Sequence, residues 1–139
     1  MTKAASSRAK LLAPEGWAPP RGYANGVVAS GRLVVLAGQV GWNPCTATFE
    51  TDDFAGQVRQ ALTNVRALLA AAGAEPAHLV RLTWFITSRD LYLASLKPIG
   101  VAYRELLGAN YPPMSVVIVA GLVEPRALVE IEATAVIPQ

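Results

Sequence analysis

A chain of 139 residues, 53% hydrophobic and 16% charged, has enough material for one domain that buries about two-thirds of its unfolded surface. Its formal charge of +2 comes from 12 Lys and Arg against 10 Asp and Glu, and the basic residues never cluster as a nucleic-acid footprint requires. A single cysteine, Cys45, and a single histidine, His78, exclude an internal disulfide and a cysteine-clustered zinc site, and leave a Ser-His or Cys-His nucleophile only one base.

Lys3, Arg8 and Lys10 are followed by only three apolar residues before Pro14, short of the apolar core of an export signal. No apolar run approaches the roughly 20 residues that span a bilayer, so the expected location is cytoplasmic, with no membrane partner. So high an apolar fraction with so few charges leaves surface for other copies to cover, and self-association is expected.

The lead is polar and then proline-rich, with Pro14, Pro19 and Pro20, and can hold neither a helix nor a central strand. Residues 1–20 are read as a surface tail and 21–139 as the domain. Residues 27–30 and 33–40 are β-rich runs flanking Gly31-Arg32, the sign of a hairpin, and Asn43-Pro44 marks a loop over 41–50.

Asp52 or Asp53 can cap a helix in which Phe54, Val58, Ala61, Leu62, Val65, Leu68 and Leu69 recur at helical spacing, and Gly73 can close it. Residues 79–87 alternate, with Val80, Leu82, Trp84 and Ile86 on one face and Arg81, Thr83, Phe85 and Thr87 on the other. His78, at the start of that strand, reads as a solvated edge residue. A second helix is expected over 91–107, kinked or delayed by Pro98. Tyr111-Pro112-Pro113 breaks the chain before the apolar run 116–120. A last strand over 128–137 sets Val129, Ile131, Ala133, Ala135 and Ile137 against Glu130, Glu132 and Thr134.

The order ββαβαββ is an α+β fold, a mixed sheet with two helices on one face. The other face carries Arg81, Thr83, Glu130 and Glu132 among apolar neighbours, a mixture that suits a symmetric oligomer with sheets face to face.

Four stretches carry a resemblance: Gly22-Tyr23-Ala24-Asn25-Gly26, Leu36-Ala37-Gly38-Gln39-Val40, the helix from Gln57 to Val65 (Gln57-Val58-Arg59-Gln60-Ala61-Leu62-Thr63-Asn64-Val65), and Leu128-Val129-Glu130-Ile131-Glu132-Ala133. In their order and spacing the chain resembles the RidA or YjgF family, also labelled endoribonuclease L-PSP-like, over about residues 20–138. The resemblance implies a chorismate-mutase-like fold and a barrel-forming homotrimer with small-metabolite clefts between subunits. It implies hydrolysis of enamines and imines such as 2-aminoacrylate, with no metal and no organic cofactor.

Carried over by position, Tyr23 matches the family's cleft tyrosine, Gly38 the glycine whose backbone meets substrate, and Glu130 the carboxylate that orients the attacking water. The departure lies in Met114-Ser115-Val116, where deaminating relatives have arginine at Met114 and often cysteine at Val116. That arginine clamps a substrate carboxylate through paired charge-assisted hydrogen bonds, which a thioether cannot form. Its loss costs about 1.5–3 kcal/mol. Arg21 or Arg126 would have to reach the cleft to replace it. Met114, Ser115 and Val116 are therefore expected to line a subsite for an uncharged or apolar group.

Three functions compete on these residues. The first is a deaminase-like hydrolase of an enamine or imine other than ordinary 2-aminoacrylate, with Glu130 catalytic. The second is a non-catalytic trimer that binds or regulates, in which Glu130 is an interface carboxylate. The third is an endoribonuclease; acid-base cleavage of RNA wants paired histidines or a His with Lys, and a basic groove, so nucleic acid ranks last among partners.

Overall fold

The computed structural model describes residues 9–139; part of the expected tail, residues 1–8, lies outside the described residues. Strands β1 (Lys10–Leu11) and β2 (Val27–Val28) form a small antiparallel pair. The main sheet holds β3 (Arg32–Val40), β4 (Leu79–Ile86), β5 (Met114–Ile118) and β6 (Val129–Ile137) in the order β3-β6-β4-β5. It is mixed: β6 runs antiparallel to both neighbours, while β4 and β5 are parallel.

The expected hairpin between the runs at 27–30 and 33–40 does not form. Gly31, at φ 144°, passes so close to the end of β6 that a Cβ would stand 2.1 Å from the Ile137 carbonyl oxygen. The chain leaves it paired with β6, Arg32 opposite Ile137, and β2 is left to the lead segment.

Helix α1 (Phe54–Ala71) begins where Asp53 accepts a hydrogen bond from the Gly56 amide at 2.8 Å. It ends where Gly73, at φ 77°, lets the Ala74 amide return to the Leu69 carbonyl. Its apolar stripe packs on β3, β6 and a third helix. Leu62, Leu69, Leu82 and Ile131 are wholly buried there, each worth about 1.5–3 kcal/mol.

The expected helix over 91–107 is two helices, α2 (Arg89–Ala94) and α3 (Leu96–Leu107), broken at Ser95. Pro98 therefore falls in the first turn of α3, where its missing N–H leaves no bond unmade. In β4 the pairing shifts between Leu79 and Arg81, so Leu79, 7% exposed, takes the core place expected for Val80.

The helices cover one face. The other, unclosed in the single chain, carries Glu130, Glu132, Arg81, Thr83 and Phe85, with Leu33 and Val35 67% and 70% exposed. Among the described residues no helix is long and apolar enough to cross a membrane.

Candidate functional site

The irregularity in β3 shapes the first half of the site. Leu36 faces Ala133 and Gln39 faces Ile131, so Ala37 and Gly38 together oppose one residue of β6, a β-bulge. A Cβ on Gly38 would lie 2.0 Å from Glu130 Oε2. Glycine at this position is what lets the half-buried Glu130 carboxylate lie across the bulged strand.

Two buried amides of α1 hold the strand ends around this contact. Gln57, wholly buried, donates from Nε2 to the carbonyls of Thr51 (3.1 Å) and Arg126 (3.0 Å), and its Oε1 accepts from the Leu128 amide at 2.8 Å. Asn64, 3% exposed, donates to the carbonyls of Val40 and Trp42 at 3.3 and 3.0 Å. Gly41 crosses the helix so closely that a Cβ would meet the Gln57 carbonyl oxygen at 2.4 Å. Sequence reasoning did not single out either amide, although Gln57 and Asn64 sit seven apart on the apolar stripe of α1, where an uncharged polar residue has to be satisfied by backbone.

The second half lies at the start of β5. Ala24 donates to the Pro112 carbonyl at 3.2 Å and forms an isolated parallel bridge with Pro113, which sets Tyr23, 43% exposed, at the Pro112-Pro113 lead into β5. Tyr103 stacks on Tyr111 with ring centres 5.1 Å apart and donates its hydroxyl to the Asn110 carbonyl. Burial, with Tyr111 adding to it, pushes the Tyr103 phenol well above its ordinary value.

The single chain does not bring these halves together. With β4 between β6 and β5, their axes are about 10 Å apart. Met114 and Val116 pair with Leu82 and Trp84 on the helix-covered face, and Met114 packs on the core. Ser115 pairs with Thr83, which itself faces Glu132, so it alone of the three shares the open face with Glu130.

Of the two alternative arginines, Arg126 is engaged. It pairs with Asp52 at 2.7 Å, donates to the Phe49 carbonyl at 3.3 Å and lies 5.6 Å from the Phe49 ring centre. Arg21 is exposed near Tyr23. His78 accepts from the Glu75 amide at Nδ1 (3.1 Å) and caps a single 3-10 turn at the far end of the sheet, where a cleft of about 440 Å³ is lined by Ser30, Glu75 and His78, among others. Cys45 is exposed. Among the described residues, no three His, Cys, Asp or Glu side chains group as metal ligands.

A mixed four-stranded sheet with helices on one face and a glutamate laid over a bulged glycine is a Rid-type α+β chain. Comparison with known proteins agrees: the endoribonuclease L-PSP family model matches residues 15–137, and the chain belongs to the RidA/YjgF family. It is 37% identical over 106 residues to a RutC family protein of Haemophilus influenzae, covering 76% of this chain and 80% of the relative. It is 33% identical over 126 residues to a 2-iminobutanoate/2-iminopropanoate deaminase of Dermatophagoides farinae, covering 91% of each. Among solved structures, a Rid-family protein of Yersinia pestis superposes with a TM-score of 0.80 at 34% identity, covering 94% of this chain and 99% of that one. Escherichia coli TdcF with bound serine gives 0.65 at 31% identity, covering 92% and 98%.

Proposed function

We propose that this protein hydrolyses a small enamine or imine in clefts between the subunits of a homotrimer, and that its substrate differs from 2-aminoacrylate and the 2-imino acids named for its deaminase relatives. The observation that carries this reading is the Glu130 carboxylate held over Gly38. Glu130 takes a proton from a water that attacks the C=N carbon, and the proton passes to the nitrogen. The resulting carbinolamine collapses to the carbonyl and releases ammonia; an enamine is first protonated at carbon. Tyr23 and the backbone of Gly38 orient the substrate, and Ser115, with the solvent-accessible edges of Met114 and Val116 on the outermost strand, lines the subsite that receives its side group. No cofactor enters these steps.

The trimer is supported by two features of the single chain: the open sheet face with exposed Leu33 and Val35, and the separation of Tyr23 and β5 from Glu130. The expected cytoplasmic setting suits a substrate that arises as a reactive product of amine metabolism. Met114 in place of an arginine speaks for a substrate without a carboxylate at that point, since Arg126 is already paired with Asp52.

The test is ammonia release over a panel of neutral imines and 2-imino acids, with native protein and Met114→Arg. Turnover of neutral imines by native protein, and a gain of at least about tenfold on 2-imino acids in the variant, is the expected result. Silence across the whole panel in both proteins would sink the enzymatic reading. A second reading, a non-catalytic metabolite-binding or regulatory trimer, rests on the same Met114; it requires saturable binding without product that Glu130→Gln leaves unchanged. The endoribonuclease reading stays third, because His78 is committed to its turn away from Glu130.

A further inference from the structure

Gln57 does more than fill the core. We propose that it is a positioning residue that fixes the Glu130 carboxylate over Gly38, a role that rests on Glu130 acting on the attacking water. The argument starts with where Glu130 sits: one residue after the start of β6, where a strand following a loop frays unless it is tied down. The tie is Gln57. Its Oε1 accepts from the Leu128 amide at 2.8 Å, two residues before Glu130, and its Nε2 donates to the Arg126 carbonyl at 3.0 Å.

The anchor itself does not move. A second bond from Nε2 to the Thr51 carbonyl closes the amide's donor capacity. Gly41, just past the end of β3, lies directly on the Gln57 backbone, with a virtual Cβ 2.6 Å from its Cα. One residue thus references both strands of the contact to the same turn of α1: β6 through the hydrogen bonds of its side chain, and β3, which carries Gly38, through close packing on its backbone. The Leu128 carbonyl completes the register by accepting from the Thr87 amide at 3.2 Å. A shift of about 1 Å at a reacting group costs about a hundredfold in rate, so removing this reference should appear in turnover before it appears in binding.

Two variants separate positioning from folding. Gln57→Met keeps the length and apolar packing but removes all three hydrogen bonds. Gln57→Glu keeps the acceptor for Leu128 and, when its carboxyl is protonated, restores one donor; of the charged groups around it, Arg126 is paired with Asp52, Arg59 with Glu105, and Asp53 accepts from the Gly56 amide. The first measurement is amide hydrogen exchange along β6. Faster exchange confined to residues 128–130, with Ala133 and Ala135 as in native protein, is expected for Gln57→Met. The second is kcat and KM for imine hydrolysis. The expected result is a fall in kcat of about ten- to a hundredfold with KM little changed in Gln57→Met, and a turnover in Gln57→Glu that climbs relative to native protein as pH falls.

Uniform acceleration of exchange through all of β6, or unchanged kcat per folded molecule, would overturn the proposal and leave Gln57 a stabilising residue only. Should native protein turn over no imine, the enzymatic reading fails by itself; the exchange pattern still decides whether Gln57 holds Glu130 in place. If Gln57→Met does not fold, Gln57→Glu carries both measurements.

Discussion

Replacing Gly38 with alanine presses on the site at its tightest point. The new Cβ would stand 2.0 Å from Glu130 Oε2, 2.7 Å from Cδ and 2.8 Å from Cγ, against a comfortable separation of about 3.5–4.0 Å between carbons. Something has to retreat by roughly 1.5 Å. Gly38 is not among the glycines with positive φ, so alanine brings no backbone strain, and the atoms it meets belong to a flexible side chain. The carboxylate therefore yields and the strand pairing stays. Turning Glu130 off its preferred rotamer costs about 0.5–1.5 kcal/mol, within the usual margin of about 5–15 kcal/mol, so Gly38→Ala folds and melts only a few degrees lower. The carboxylate, displaced by more than about 1 Å, loses roughly a hundredfold or more in its action on water. Ammonia release measured beside a thermal melt checks both halves. Full turnover in a folded variant would refute the assignment of Glu130 to the water, and a loss of activity that tracks unfolding would show that the backbone absorbed the clash.

Mixing purified Glu130→Gln with Tyr23→Phe after joint unfolding and refolding should restore activity at about one cleft in four, because under the proposed trimer each cleft draws Glu130 from one chain and Tyr23 from the next; no recovery would place both residues in the same chain's site. Tyr103→Phe, which forfeits the hydrogen bond to the Asn110 carbonyl, should cost about 1 kcal/mol at neutral pH by chemical denaturation. The native Tyr103 resists ionisation above its ordinary value of 10.0. The unfolded chain thus loses that proton first, and stability present below pH 10 drains away as pH rises toward the folded value; the phenylalanine variant should show a shallower decline above pH 10, and an identical slope would mean the phenol is not held neutral.

Much of the architecture was legible because it depends on patterns local to the chain. The α1 stripe from Phe54 to Leu69, its Asp53 cap and its Gly73 stop are all written within 21 residues, and the alternation of β6 follows from Val129, Ile131, Ala133 and Ala135. The errors arose where a distant partner decided the outcome. Gly31 reads as a turn glycine until the end of β6 occupies the space a side chain would need. Val80 reads as core until a pairing shift against β6 gives its place to Leu79. The candidate site divides the same way: Glu130 and Gly38 were identified through resemblance, but the reason for the glycine is a contact across strands 92 residues apart in sequence. Gln57 and Asn64 were read only as part of the resembling helix, without a role of their own, because their partners are backbone carbonyls and amides, which no residue type announces.

The composition of the open face links assembly to chemistry. Leu33 and Val35 stand mostly in water in the single chain, and covering each is worth up to about 1.5–3 kcal/mol. The same covering, however, reaches Glu132 and Glu130 on the neighbouring strand, and a carboxylate drawn out of water without a partner opposes burial by more than a leucine favours it. A generic apolar partner is therefore a poor match. Another copy of this face brings its own Arg81 and Thr83 along with its own Leu33 and Val35, and so supplies ionic, hydrogen-bonding and apolar complements together. Under the proposed trimer, the event that buries the leucine and valine is also the one that thins the bulk water around Glu130, leaving the carboxylate beside the few waters that share its cleft with a substrate.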